Sequence, residues 1–246
     1  MKIRALLATL PLLLVTACGG EDAANVTAPK GSVPIAAAPA GTAWVDTVVK
    51  TPEGGIPMGN PNAPLKIVEY GSRACTNCAL FDTEGFEPLK ADYVATGKVS
   101  YEFREYPVHG PLDFAPILLG QCTGDTATFF PILDAMFKNQ ETLLKDEQAV
   151  ATRVQAMPNA SPNQVAVAFG EGLGYIDFMK QRGLPEDKAR ACLNDAGGIK
   201  RIIDGAQAAN DKYQISGTPT FILNDVKLEG VDRWEKLKTV LVQRGA

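Results

Sequence analysis

Leu65-Lys66-Ile67-Val68-Glu69-Tyr70-Gly71-Ser72-Arg73-Ala74-Cys75-Thr76-Asn77-Cys78 passes from an apolar strand pattern into a C-x-x-C pair. That junction decides the fold. Residues 65–70 read as a buried strand closed by Gly71-Ser72, and the apolar spacing of Ala79, Leu80, Phe81, Phe86 and Leu89 reads as one face of a helix. Cys75 thus opens a helix, where unpaired backbone N–H groups and the macrodipole favour an anion. A thiolate there is a nucleophile, and Cys78, one turn later, sits within bonding distance to form a disulfide with it. A zinc site would need a second Cys or His pair. His109 is the sole histidine and no second C-x-x-C exists. A soft Cu(I) site on Cys75 and Cys78 is the alternative from another class, but Met is scarce near the motif.

Outward from the junction, Gly97 ends the helical pattern and Val99-Ser100-Tyr101-Glu102-Phe103-Arg104 alternates as a second strand. From about 112 to 194 the spacing is helical, as in Phe129, Leu133 and Met136, and no strand is evident. Ile199 to Tyr213 reads as a further helix, Thr218 to Leu223 as a strand, Val226 to Glu229 as its partner, and Trp234 to Val242 as a closing helix. The predicted class is α/β: a central mixed sheet in the order of a thioredoxin core, with an inserted all-helical subdomain at about 112–194.

Gly59-Asn60-Pro61-Asn62-Ala63-Pro64 leading into that first strand, then Cys75-x-x-Cys78, resembles the opening of the DsbA family of periplasmic dithiol oxidases. Ser216-Gly217-Thr218-Pro219-Thr220-Phe221 resembles that family's cis-proline loop, and the similarity extends over about 56–245. The resemblance implies a catalytic Cys75–Cys78 dithiol/disulfide. It also implies a cis Thr218–Pro219 bond whose loop faces the cysteines and pairs with an extended substrate chain. Glu69, six residues before Cys75, matches an acidic residue beneath the disulfide, able to exchange a proton with Cys78 if buried. Asp82 is a weaker candidate for that role, and His109 reads as a loop residue with none. Where the family carries Pro-His inside the motif, this chain has Thr76-Asn77. Asn77 offers neutral amide hydrogens only. A less depressed Cys75 pKa and a less oxidising pair than in the type members follow. The implied activity is disulfide exchange with unfolded or partly folded exported proteins, as an oxidase, with isomerase or reductase as the alternative. A membrane redox partner is expected and no cofactor, because the dithiol carries the electrons.

The N-terminus bears on location. Lys2 and Arg4 precede an apolar run from Ala5 to Val15, too short to span a bilayer but suited to a signal peptide at 1–17. Val15-Thr16-Ala17-Cys18 resembles the bacterial lipobox, which implies cleavage before Cys18 and lipid on its sulfur. Residues 18–43, rich in Gly, Ala and Pro, read as a flexible tether to a folded domain at 44–245. The expected location is the bacterial cell envelope, periplasm-facing and membrane-anchored. The net charge of −4, with no basic run, argues against nucleic acid. Of five cysteines, lipid takes Cys18 and the motif takes two. Cys122 and Cys192 remain, and a structural disulfide between them would close a loop worth ~4 kcal/mol.

Overall fold

The computed structural model describes residues 31–52 and 54–246. The signal peptide, Cys18 and the first part of the predicted tether lie outside those residues. The predicted first strand is β2 (Leu65–Gly71), at the centre of a five-stranded sheet with β1 (Ile56–Gly59), β3 (Val99–Glu105), β4 (Thr220–Leu223) and β5 (Val226–Lys227). The order is β1-β3-β2-β4-β5. β2 and β3 run parallel, and the other neighbours are antiparallel. Strand β1 has no counterpart in the sequence reading. It is four residues long, carries Pro57, and lies at the sheet edge, the one place a strand tolerates a missing N–H.

Side chains alternate across the sheet. Leu65 and Ile67 of β2, Val99, Tyr101 and Phe103 of β3, and Phe221 and Leu223 of β4 enter one core. Val68, Tyr70 and Ile222 face the other side, under the long helix α10 described below. Glu69 follows Leu65 and Ile67 on the first face. It therefore points where an apolar side chain would be expected.

Helix α1 (Thr76–Phe81) continues without a break through a π-helical turn at Asp82–Phe86, α2 (Glu87–Leu89) and a second π turn at Lys90–Val94. Pro88 explains the widening: it has no N–H to donate, and its ring crowds the preceding turn. Cys78, Phe81, Phe86 and Leu89 are buried as the apolar spacing predicts, whereas Leu80 is exposed.

The insertion consists of α3 (Pro111–Gln121), α4 (Phe129–Lys138), α5 (Gln140–Leu144), α6 (Glu147–Gln155), α7 (Pro162–Gly172), α8 (Tyr175–Lys180) and α9 (Glu186–Leu193). Most of these helices share a second core containing Ile117, Leu119, Met136, Ala166, Met179 and Leu193. Cys122 and Cys192 are bonded, tying the end of α3 to α9 across 70 residues. α10 (Ala196–Tyr213) returns the chain to the sheet, and α11 (Trp234–Gln243) closes it.

The tether reading is corrected over its second half. Val33 is buried in the sheet core, and its N–H donates to the Gly245 carbonyl at 2.9 Å. Ala36 N–H donates to Thr96 O, and Trp44 Nε1 donates to Ala36 O at 2.7 Å. Composition rich in Gly, Ala and Pro hid a strap held by one apolar anchor and three hydrogen bonds.

Candidate functional site

Cys75 caps α1 with an extended backbone, and its N–H donates to Ser72 O at 3.1 Å. The turn before it is fixed from several sides. Ala74 N–H donates to Ser72 Oγ, and Gln140 Nε2 of α5 donates to the carbonyls of both Arg73 and Cys75, each at 3.1 Å. Arg73 is buried, with Nε and Nη2 both on Glu105 Oε1 at 2.9 and 2.7 Å. Its guanidinium lies 5.2 Å from the centre of the Phe129 ring. Gly120 of α3 admits this arrangement, because a Cβ there would stand 2.4 Å from Arg73 Cζ.

The Arg73–Glu105 pair anchors the active-site turn to β3. Burial pushes Glu105 up and Arg73 opposes that push. Glu105→Ala leaves a buried guanidinium unpaired, and a loss of about 3–5 kcal/mol in urea unfolding is expected. A loss under about 1 kcal/mol would show that Arg73 finds another partner or water.

Neither Cys75 nor Cys78 is disulfide-bonded in this structure. Their environments pull them apart. The Cys78 thiol donates to Cys75, and with help from Thr218 and the backbone N–H groups of Asn77 and Cys78 it outweighs burial, bringing Cys75 down to about 5. Cys78 is wholly buried and pushed well above the ordinary thiol value by burial first, then by its bond to Cys75 and the nearby Glu69. The Thr218–Pro219 bond is cis, and Cys75 Sγ lies 3.2 Å from Thr218 O. That contact serves the thiol. The Thr218 hydroxyl, buried and with no other partner, is what a Cys75 thiolate can use.

Glu69 is 1% exposed. The Tyr101 hydroxyl donates to its Oε2 at 2.6 Å, while Oε1 has no partner. Burial outweighs the Tyr101 bond and pushes Glu69 up to about 8. Asp82, also buried, is pushed up to about 7 by burial first and then by Asp134 of α4. The site therefore gathers Cys75, Cys78, Thr218, Pro219 and Glu69, with Asp82 behind them. Among the described residues no group of three or more His, Cys, Asp or Glu side chains could hold a metal ion.

Sequence reasoning missed Ser72, Arg73, Glu105, Asp113 and Gln140. Their one legible signal is position, since Ser72 and Arg73 adjoin the motif. Charged and amide side chains ordinarily read as surface, whatever element carries them.

Sheet, active-site helix and dithiol are together those of a thioredoxin-fold protein. The sequence matches the thioredoxin family profile over residues 51–243. It is 30% identical to disulfide bond formation protein D of Bacillus subtilis, over 75% of this chain and 74% of that one. A Rickettsia bellii protein named for protein-disulfide oxidoreduction is 24% identical, and the match spans 73% of this chain but only 61% of that protein's length. Among solved structures, a protein-disulfide isomerase from Novosphingobium aromaticivorans superposes with a TM-score of 0.70 at 26% identity, covering 77% of this chain and 97% of that one. The chain belongs to the DsbA-like family of the thioredoxin superfamily.

Proposed function

We propose that this protein is an exported thiol–disulfide oxidoreductase that donates its Cys75–Cys78 disulfide to polypeptides. The observation that carries the reading is the placement of the pair: Cys75 caps α1 with its Sγ 3.2 Å from the carbonyl of Thr218 in the cis-proline loop, while Cys78 is wholly buried behind it, which lowers the first thiol and raises the second. A substrate thiolate attacks Cys75 Sγ in the oxidised protein, the Cys75–Cys78 bond breaks, and Cys78 leaves as a thiolate that takes up a proton. Glu69, beneath it and protonated at neutral pH, supplies that proton. A second substrate thiolate then attacks the mixed disulfide and expels Cys75, which leaves readily as a stabilised thiolate. The Thr218–Pro219 loop offers its backbone to the substrate chain beside Cys75.

The low Cys75 value favours the reduced protein, and that favours oxidising a substrate. Equilibration with glutathione, with Cys75→Ser as the control, tests the direction. A potential in the range of about −120 to −180 mV supports disulfide donation or isomerisation, whereas about −270 mV identifies a reductant and overturns the oxidase reading.

The lipobox-like Val15-Thr16-Ala17-Cys18 supports anchoring to a membrane of the bacterial envelope, with the domain facing the periplasm, where a membrane redox partner would restore the disulfide. Detergent phase partitioning of the protein and of Cys18→Ser tests the anchor. Equal partitioning of the two into the aqueous phase would exclude it.

A further inference from the structure

His109 has no place in the motif, yet the structure builds it into the turn that carries Cys75. Ser72 Oγ donates to Asp113 Oδ1 at 2.7 Å and accepts from Ala74 N–H at 3.1 Å. Its third neighbour is His109 Nδ1 at 3.2 Å. A serine hydroxyl has one hydrogen and two lone pairs. The hydrogen is committed to Asp113, so Nδ1 must donate. Asp113 Oδ2, 3.4 Å from the same nitrogen and already accepting the His109 N–H at 2.8 Å, also requires a hydrogen on Nδ1. Asp113 is wholly buried. These contacts fix the tautomer, so Nε2 is the atom that titrates.

The ring is 40% exposed, so it reaches solvent. The charged groups facing it are Asp113, Cys75 and Glu147 of α6, all of which favour a cation there. The hydrogen bond to Asp113 is the largest of these influences and, against burial, raises the imidazole above its ordinary 6.5.

We propose that His109, held by Asp113 and Ser72, is a cationic positioning residue that stabilises the Cys75 thiolate from outside the C-x-x-C motif. The inference rests on Cys75 and Cys78 being the working pair and deepens that reading. Between the Cys75 midpoint and that of the imidazole, thiolate and imidazolium coexist at the same turn, joined through Ser72, close enough for the thiolate to favour the cation. Raising the pH through the imidazole midpoint removes the cation and leaves the thiolate without it. The pair then becomes less oxidising, since the reduced form has lost a stabilising partner.

The test is the Cys75 ionisation curve, followed by ultraviolet thiolate absorbance, together with the reduction potential against pH for the wild type, His109→Gln and His109→Arg. His109→Gln is expected to lower the Cys75 ionisation constant by about three- to tenfold, a modest effect because the ring is partly solvated. Its potential should be less oxidising than wild type below the imidazole midpoint and converge with it as pH rises past that midpoint, where the wild-type imidazole is neutral. His109→Arg should restore the wild-type ionisation constant and keep the cation on both sides of that midpoint. A merely structural histidine gives no convergence, so an unchanged Cys75 curve, or a potential difference that persists above the imidazole midpoint, overturns the proposal. The titration needs neither substrate nor redox partner. Failure of the oxidoreductase reading would instead show as absence of exchange with an intact ionisation curve.

Discussion

Cys78→Ser is expected to lose catalysed exchange by more than about a thousandfold while leaving Cys75 reactive. The reason lies in burial. Cys78 is the wholly buried member of the pair, and Cys75 meets the Thr218 carbonyl at the mouth of the site. Mixed with oxidised glutathione, the Cys75 thiolate of either protein attacks one sulfur, expels glutathione and forms a mixed disulfide. In the wild type Cys78 then attacks Cys75 Sγ, releases the second glutathione and closes the intramolecular bond. The serine variant stops at the adduct, which intact mass resolves as one glutathione per chain. Cys78→Ala separates a second effect. The Cys78 hydrogen bond is the largest influence lowering Cys75, so alanine, unlike serine, should raise the Cys75 midpoint and slow adduct formation at mildly acidic pH. Exchange by Cys78→Ser within about tenfold of wild type would show that another group resolves the adduct and that the pair is not the working unit.

Legibility of the sequence followed the range of the interactions. Strand β2, the helix start at Cys75 and the block of helices between β3 and β4 are written in local periodicity, and they were readable for that reason. Glu69 could be picked out because a carboxylate interrupts an Ile-Val-x-Tyr pattern on a strand whose alternate residues are buried. Arg73 and Glu105 could not, because each is tolerable in the interior through the other, 32 residues away in sequence, and Asp113 could not, because its local bond to the His109 N–H is joined by a partner 41 residues away, Ser72. Val33 illustrates the converse. Val33 and Ile35 stand among Ala and Pro with no helical period, yet Val33 enters the sheet core, with its N–H on the Gly245 carbonyl, while Ile35 stays exposed. His109 is the loop residue its sequence suggests, in the turn before α3, but sequence distance concealed that this turn meets Ser72, 37 residues away.

Glu69→Gln is expected to flatten the pH dependence of stability and to slow the step in which Cys78 leaves. In the unfolded chain the carboxyl ionises at its ordinary 4.5, and in the folded protein it holds its proton up to about 8. Between those values the folded state binds the extra proton, so stability falls as pH rises, by about 1.4 kcal/mol per pH unit and on the order of 4–5 kcal/mol over the whole window. Below 4.5 both states are protonated and the group contributes no slope. Glutamine cannot ionise. It can still accept from Tyr101, while its amide leaves one buried donor group unpaired, a cost that does not change with pH. The two stability curves should therefore start close together, with glutamine at or below wild type in acid, and cross as pH rises. Urea unfolding of the oxidised protein across that range reads this cleanly, since neither motif thiol then titrates. Parallel curves would mean that Glu69 ionises in the folded state at an ordinary pH, with water reaching Oε1. The kinetic arm addresses the role itself. A departing Cys78 thiolate in a wholly buried site needs a proton from within reach, and loss of a positioned acid costs roughly a hundredfold or more in rate. Because glutamine preserves shape and the Tyr101 bond, a rate loss confined to pH values where the wild-type carboxyl is protonated, and vanishing above about 8, assigns the effect to the proton rather than to packing.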